Sequence, residues 1–140
     1  MNAPTSSLHL QPRAISPAFL QALQSRFGQQ CSTAQAVCEQ HGRDEGSIQA
    51  PPPVAVVYAE STQDVAAPVQ LADQYTVPVI AYGAGSSLEG HLLAVQGGIS
   101  IDVSRMHRVL RVNAEDMTVT VQPGILRKQL NDAIKDQGLF

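Results

Sequence analysis

Residues 77–90 read VPVIAYGAGSSLEG: Val77 to Ala81 is a short β-rich run, and Tyr82 to Gly90 is a loop made largely of glycine, alanine and serine. A strand that runs straight into small residues is a recurring device for holding anions, because backbone N–H groups can converge where side chains are absent. Two common versions are excluded. The Rossmann fingerprint, Gly-x-Gly-x-x-Gly, fails because the third glycine position counted from Gly83 and Gly85 is Leu88. The P-loop fails because His91 and Leu92 follow Gly90 where lysine and a hydroxyl residue are required. With no lysine in the loop, an anion would rest on peptide amides and on the hydroxyls of Ser86 and Ser87. A flavin diphosphate meets that requirement; the plainer alternative is a glycine-rich turn between strands that holds no ligand. Glu89 would repel a diphosphate if it faced inward, so its side chain is expected to point away or to pair with a base.

Upstream, three prolines at Pro51 to Pro53 stop any helix and hand over to a strand at Val54 to Tyr58. Ser61 and Asp64 have capping-box spacing, and Val65, Val69, Leu71 and Ala72 form an apolar stripe, so a helix is expected up to Tyr75. Pro68 should kink it. Strand, helix and the Val77 to Ala81 strand then make a βαβ unit. Earlier still, Ser16 caps a helix with Pro17 in its first turn, and Phe19, Leu20, Leu23 and Phe27 recur at helical spacing before Gly28. A short helix is expected near residues 33–40, followed by the turn-rich HGRDEGSIQA at 41–50.

Downstream, Ile99, Ile101 and Val103 alternate as in a half-buried strand, with Asp102 on the opposite face. Val109 to Asn113 and Met117 to Gln122 read as an antiparallel pair around the turn at Ala114 to Asp116. Ile125, Leu126, Leu130 and Ile134 share a helical face up to Gly138. An Asp102–Arg105 ion pair is expected at the strand end, and His41 reads as a solvated or locally bonded turn residue. Residues 1–14 lack periodicity and are expected to be poorly ordered. Leu139 and Phe140 are residue types that open a core segment, so more chain is expected to follow them.

The 140 residues suffice for one core, with 44% hydrophobic and 15% charged residues and a net charge of −3. That balance, with no tryptophan and 4% aromatic residues, disfavours a nucleic-acid partner. The longest apolar run, Val54 to Ala59, is far below the roughly 20 residues that cross a bilayer, and no signal pattern opens the chain. A cytoplasmic protein without a transmembrane segment is therefore expected. Cys31 and Cys38 with His41 match no common zinc spacing, which leaves two reduced thiols and no metal site.

Taken together, PPPVAVV (51–57), PVIAYGAGSSLEG (78–90), QGGISIDVSR (96–105), Glu115-Asp116 and VQPG (121–124) resemble the FAD-binding domain of the vanillyl-alcohol oxidase or PCMH type. HGRDE (41–45), Leu88-Glu89-Gly90 and RKQLN (127–131) narrow the resemblance to the D-lactate dehydrogenase and glycolate oxidase group, from about residue 37 onward. The resemblance implies an α+β fold, a small mixed sheet flanked by helices, as the first of two subdomains that clasp FAD. It implies a pyrophosphate cradle built from Tyr82, Gly83, Ala84, Gly85, Ser86, Ser87 and Gly90. Similar proteins oxidise a D-2-hydroxy acid by hydride transfer to flavin and pass electrons to a cytochrome, a quinone or an electron-transfer flavoprotein. Their catalytic histidines lie beyond the matched segment, so no catalytic residue carries over and this chain alone is expected to be inactive. The implied division is a tail at 1–14, a helical and loop lead-in at 15–50, and an incomplete FAD-binding subdomain at 51–140. A truncated, non-catalytic remnant, or a subunit completed by a second chain, is the alternative. Two positions depart from the group: His91 replaces a usual glycine and adds bulk beside the cofactor, and Gly46 stands where serine is usual, with Ser47 one position late.

Overall fold

The computed structural model describes residues 12–46 and 48–139; most of the expected tail at 1–14, Ser47 and Phe140 lie outside the described residues. The chain runs α1 (Pro17–Phe27), β1 (Cys31–Ser32), α2 (Gln35–His41), β2 (Ala55–Tyr58), α3 (Thr62–Gln74), β3 (Val79–Tyr82), β4 (Ile99–Asp102), β5 (Val109–Asn113), β6 (Thr118–Val121) and α4 (Arg127–Ile134). The first four strands form one mixed sheet in the order β1-β2-β4-β3, and β5 pairs with β6 in a separate two-stranded sheet. This is the expected α+β fold with a small mixed sheet and flanking helices.

The helices begin where their caps dictate. Ser16 Oγ accepts from Phe19 N at 3.2 Å with Pro17 at the first helical position, and Ser61 Oγ accepts from Asp64 N at 3.2 Å. The Asp64 carboxylate reaches back to Glu60 N at 3.1 Å, one residue before the expected capping-box partner. α3 continues through Pro68, whose ring is buried and leaves the Asp64 carbonyl without its usual helical donor. α4 starts two residues later than expected, and Leu126 N donates to Gln129 Oε1 at 2.9 Å at its mouth.

Two features of the sheet differ from the pattern in the sequence. The βαβ unit exists, but its strands β2 and β3 are not neighbours: β4 lies between them, parallel to both. The expectation of a half-buried β4 is also overturned, because all four of its residues are buried. A parallel strand at the centre of a sheet is covered on both faces. One face packs on α1 and α3, where Phe19, Leu23 and Phe27 meet Ala55, Val57, Leu71, Ala72 and Ile99 in one cluster. The other face carries Ser100 and Asp102 and is covered by α2 at His41.

Leu23, fully buried at the centre of the α1 stripe, reports on whether the lead-in helix is part of the core. Leu23→Ala should lower the unfolding free energy in urea by about 2–5 kcal/mol, whereas a loss below about 1 kcal/mol would mean that α1 only rests on the surface.

Candidate functional site

Parallel register sets one row of side chains across the sheet. Tyr58 on β2 and Tyr82 on β3 are both paired with Asp102 on β4, at the last position of each strand. His41, the final residue of α2, sits on this row. Its Nε2 is 2.9 Å from Asp102 Oδ2, its Nδ1 is 2.9 Å from the Val37 carbonyl oxygen, and its ring lies 4.2 Å from Tyr82 and 5.9 Å from Tyr58, centroid to centroid. Both ring nitrogens face acceptors, so both must donate, which only the protonated imidazolium can do. Burial works against the charge on each partner, but the hydrogen bonds win: His41 is raised above the ordinary histidine value and Asp102 is held below the ordinary carboxylate value. Ser104 N, 2.7 Å from Asp102 Oδ1, completes the carboxylate's coordination. Burial, then the nearby Asp102 charge, pushes the Tyr82 phenol up, so that it stays neutral.

This arrangement corrects two expectations. His41 does make a local bond, to the Val37 carbonyl, but it is buried and ion-paired at a helix end and not a solvated turn residue, because α2 lays its last turn on the sheet. Asp102 does not pair with Arg105: it points under α2, while the exposed Arg105 binds Glu60 at 2.9 Å and lies 4.6 Å over the Tyr58 ring. An exposed pair of that kind contributes about 0–1 kcal/mol.

The glycine loop leaves the row at Tyr82. It is tied down from behind by the segment that follows α2: Asp44 accepts from Gly46 N at 2.9 Å with one oxygen and from Gly90 N at 2.9 Å with the other, and Glu45 N donates to Ser87 O at 2.9 Å. Ser87 Oγ accepts from Glu89 N at 3.2 Å and bonds His91 Nδ1 at 3.0 Å. The N–H groups of Gly83, Ala84, Gly85, Ser86, Ser87 and Leu88 have no protein acceptor among the described residues. Gly85 has φ +72°, and a Cβ there would overlap the Tyr82 hydroxyl, so only glycine fits. Gly83 differs, since a Cβ there meets nothing within 4 Å and points into open space.

Six of the seven residues singled out in the sequence, Tyr82, Gly83, Ala84, Gly85, Ser86 and Ser87, line one groove of about 410 Å³ with His91, Leu92, Val103 and Pro123. Gly90 is not among its lining; its amide is taken by Asp44. The back of the loop, at Tyr82, Ala84 and Gly85, faces a second groove of about 540 Å³ whose walls carry Glu39, Asp44 and Glu45 against Arg43. Charge therefore makes the first groove the one suited to an anion. His41, Asp44 and Asp102, which hold the loop's base, were not placed in the site from sequence. HGRDE (41–45) and QGGISIDVSR (96–105) both carry the resemblance, but nothing local in either reveals that they meet.

A glycine loop whose amides are unpartnered among the described residues, at the carboxyl end of a parallel strand of an α+β domain, is an arrangement that suits a phosphate-bearing ligand. The chain belongs to the family described as FAD binding domain, which it matches over residues 53–140. It is 41% identical over 109 residues to the probable mitochondrial D-lactate dehydrogenase of Danio rerio, covering 78% of this chain and 22% of that protein. It is 28% identical over 88 residues to the glycolate oxidase subunit GlcD of Bacillus subtilis (strain 168), covering 63% of this chain and 19% of that protein. The fold is also that of a p-cresol methylhydroxylase crystal structure, with TM-score 0.72 over 92% of this chain and 27% of that one at 17% identity, a likeness of fold alone. The chain thus spans about a fifth of the length of the curated relatives it matches. FAD is the cofactor of the family, and the donor set fits it: residues with unpartnered, uncharged amides line one groove with no acidic side chain in its lining. No described helix is long and apolar enough to cross a membrane, and no cluster of potential metal ligands occurs among the described residues.

The buried pair makes stability depend on pH with a definite sign. The Asp102 contribution is present above the ordinary carboxylate value of 3.8 and is lost as pH falls through its lowered value. The His41 contribution is full below the ordinary 6.5 and is lost as pH rises through its raised value. Urea unfolding of the wild type should show a decline in stability above pH 6.5 that His41→Gln lacks, with the variant about 3–5 kcal/mol weaker at the plateau because Asp102 stays buried without its cation. Parallel pH profiles for the two proteins would rule His41 out as the titrating group.

Proposed function

We propose that this chain supplies the diphosphate-binding part of an FAD-linked dehydrogenase that oxidises a D-2-hydroxy acid of the D-lactate kind. The observation that carries the reading is the run of N–H groups from Gly83 to Ser87, which have no acceptor in the protein among the described residues and belong to residues lining a groove whose other side chains are neutral apart from His91. In this reading Tyr82, Gly83, Ala84, Gly85, Ser86, Ser87 and Gly90 form the cradle. The amides of Gly83 to Ser87 and the Ser86 hydroxyl face the phosphates, Tyr82 props the loop beneath Gly85, and Gly90 anchors it through Asp44. Ser87 acts within the loop, since its hydroxyl already serves Glu89 and His91. Bound flavin supplies the hydride acceptor, and the chain's own residues orient it; none of them is assigned a catalytic role.

The substrate class rests on likeness to proteins named D-lactate dehydrogenase and glycolate oxidase. We assign residues 51–140 to the FAD-binding subdomain, and residues 15–50 to a lead-in whose α1 closes the core and whose residues Asp44 and Glu45 brace the loop. The free thiols of Cys31 and Cys38 favour a reducing compartment, the cytoplasm in our reading.

The two glycines separate folding from binding. Gly83→Val places a side chain in open space, so the melting temperature should stay within about 2 °C while retention of yellow, flavin-absorbing protein is lost. Gly85→Ala should lower both, because its Cβ collides with Tyr82 in a left-handed backbone. Unchanged flavin binding in Gly83→Val would overturn the cradle. Lactate-dependent bleaching of the yellow chain alone would overturn the reading that it is catalytically incomplete.

A further inference from the structure

The anion groove contains one side chain able to carry positive charge among its lining residues, and it is His91. Its position is built rather than incidental. Nδ1 is held by Ser87 Oγ at 3.0 Å, and Ser87 Oγ is itself fixed by Glu89 N at 3.2 Å. Nε2 has no partner among the described residues, and the residue is exposed at the groove edge. With the Ser87 hydroxyl donating to Nδ1, the neutral ring carries its proton on Nε2, the nitrogen left available to a ligand. On protonation Nδ1–H donates to Ser87 instead, so the same geometry accepts both charge states.

We propose that His91 is a phosphate contact that makes FAD affinity depend on pH, binding the diphosphate more tightly when the imidazole is protonated. This rests on the loop reading given under Proposed function. Histidine is the side chain that changes charge between about pH 5 and pH 8, and a charge-assisted hydrogen bond to phosphate is about twice as strong as a neutral one. Among the described residues that line the groove there is no second cation. Across the groove Tyr82 is a neutral phenol, the β4 continuation offers Val103 and the following turn Pro123, and Leu92 is apolar. Glu89, two positions away on the same loop, is exposed, and Asp44 behind the loop is turned to Gly46 and Gly90. Among the lining residues, the balance of attraction on a diphosphate therefore changes with one group.

The test is an FAD titration of the full chain, followed by flavin fluorescence, for the wild type, His91→Gln and His91→Lys, with riboflavin as the phosphate-free control. For the wild type, Kd should rise about five- to tenfold between about pH 6 and pH 8. His91→Gln should bind weakly with a flat profile, His91→Lys should bind tightly with a flat profile, and riboflavin should show no dependence on residue 91. A slope kept by His91→Gln, or an equal slope for riboflavin, overturns the inference while leaving the cradle standing. Wild-type protein that binds no FAD at any pH overturns the cradle itself, and this inference with it.

Discussion

A single buried charge pair sits where the sheet, the second helix and the glycine loop meet. Asp102 is the last residue of a strand covered on both faces, and its carboxylate would be intolerable there without a cation and further donors. His41 supplies the cation, and it does so only if α2 stops where its last turn reaches the sheet. The pair therefore constrains three things together: the end of α2, the depth of β4, and the ring of Tyr82 that lies 4.2 Å from the imidazole. Breaking it leaves an unpaired buried charge rather than a missing contact, which is why its removal costs more than its formation contributes.

From that fixed point the loop acquires its shape. Tyr82 blocks any side chain at position 85, and the left-handed turn at Gly85 follows. The segment after α2 then grips the loop's far end through Asp44 and Glu45, so the loop is held at both ends while its middle N–H groups remain uncommitted. Exposed amides of this kind are solvated by water when no ligand is bound, and they cost little until something excludes that water. The arrangement suits a tightly held cofactor: the loop needs little rearrangement to receive phosphates, and no mobile lysine has to be ordered.

Much of this was legible in the amino-acid order and some was not, for reasons that follow from what local sequence encodes. Caps at Ser16 and Ser61, the stripe Phe19–Leu23–Phe27 and the proline break before Ala55 are signals between residues close in sequence, and they gave the elements. The strand order was hidden because nothing in β2, β3 or β4 states which one lies in the middle. Only the burial of Ser100 and Asp102 on β4's second face does, and alternation of Ile99, Ile101 and Val103 suggested the reverse. The His41–Asp102 pair spans 61 residues, so the more obvious partner, Arg105, drew the assignment by proximity alone. The loop itself could be read because its chemistry lies in what is missing, side chains, and that is visible residue by residue.

The two halves of the chain carry different burdens. Neither buried cluster includes a residue of β5 or β6, and α4 contributes one well-buried side chain, Ile134. The hairpin instead exposes Leu110 and Met117, the latter 83% accessible, and a cleft of about 650 Å³ between it and α4 is lined by Val112, Val119, Leu130 and Ile134. Burial is thus concentrated around β2 and β4, whose carboxyl ends carry Tyr58 and Asp102 of the row that Tyr82 completes from β3. Gln122, whose side chain accepts from Arg108 N at 3.0 Å, extends the hairpin's own ladder, and Gly124, whose N–H donates to Met106 O at 2.8 Å, ties its end to the cluster of Ala59, Ile101 and Met106. The loop leaves β3, which pairs in parallel along its whole length with the fully buried β4, so its root is fixed by the central strand and not by the hairpin.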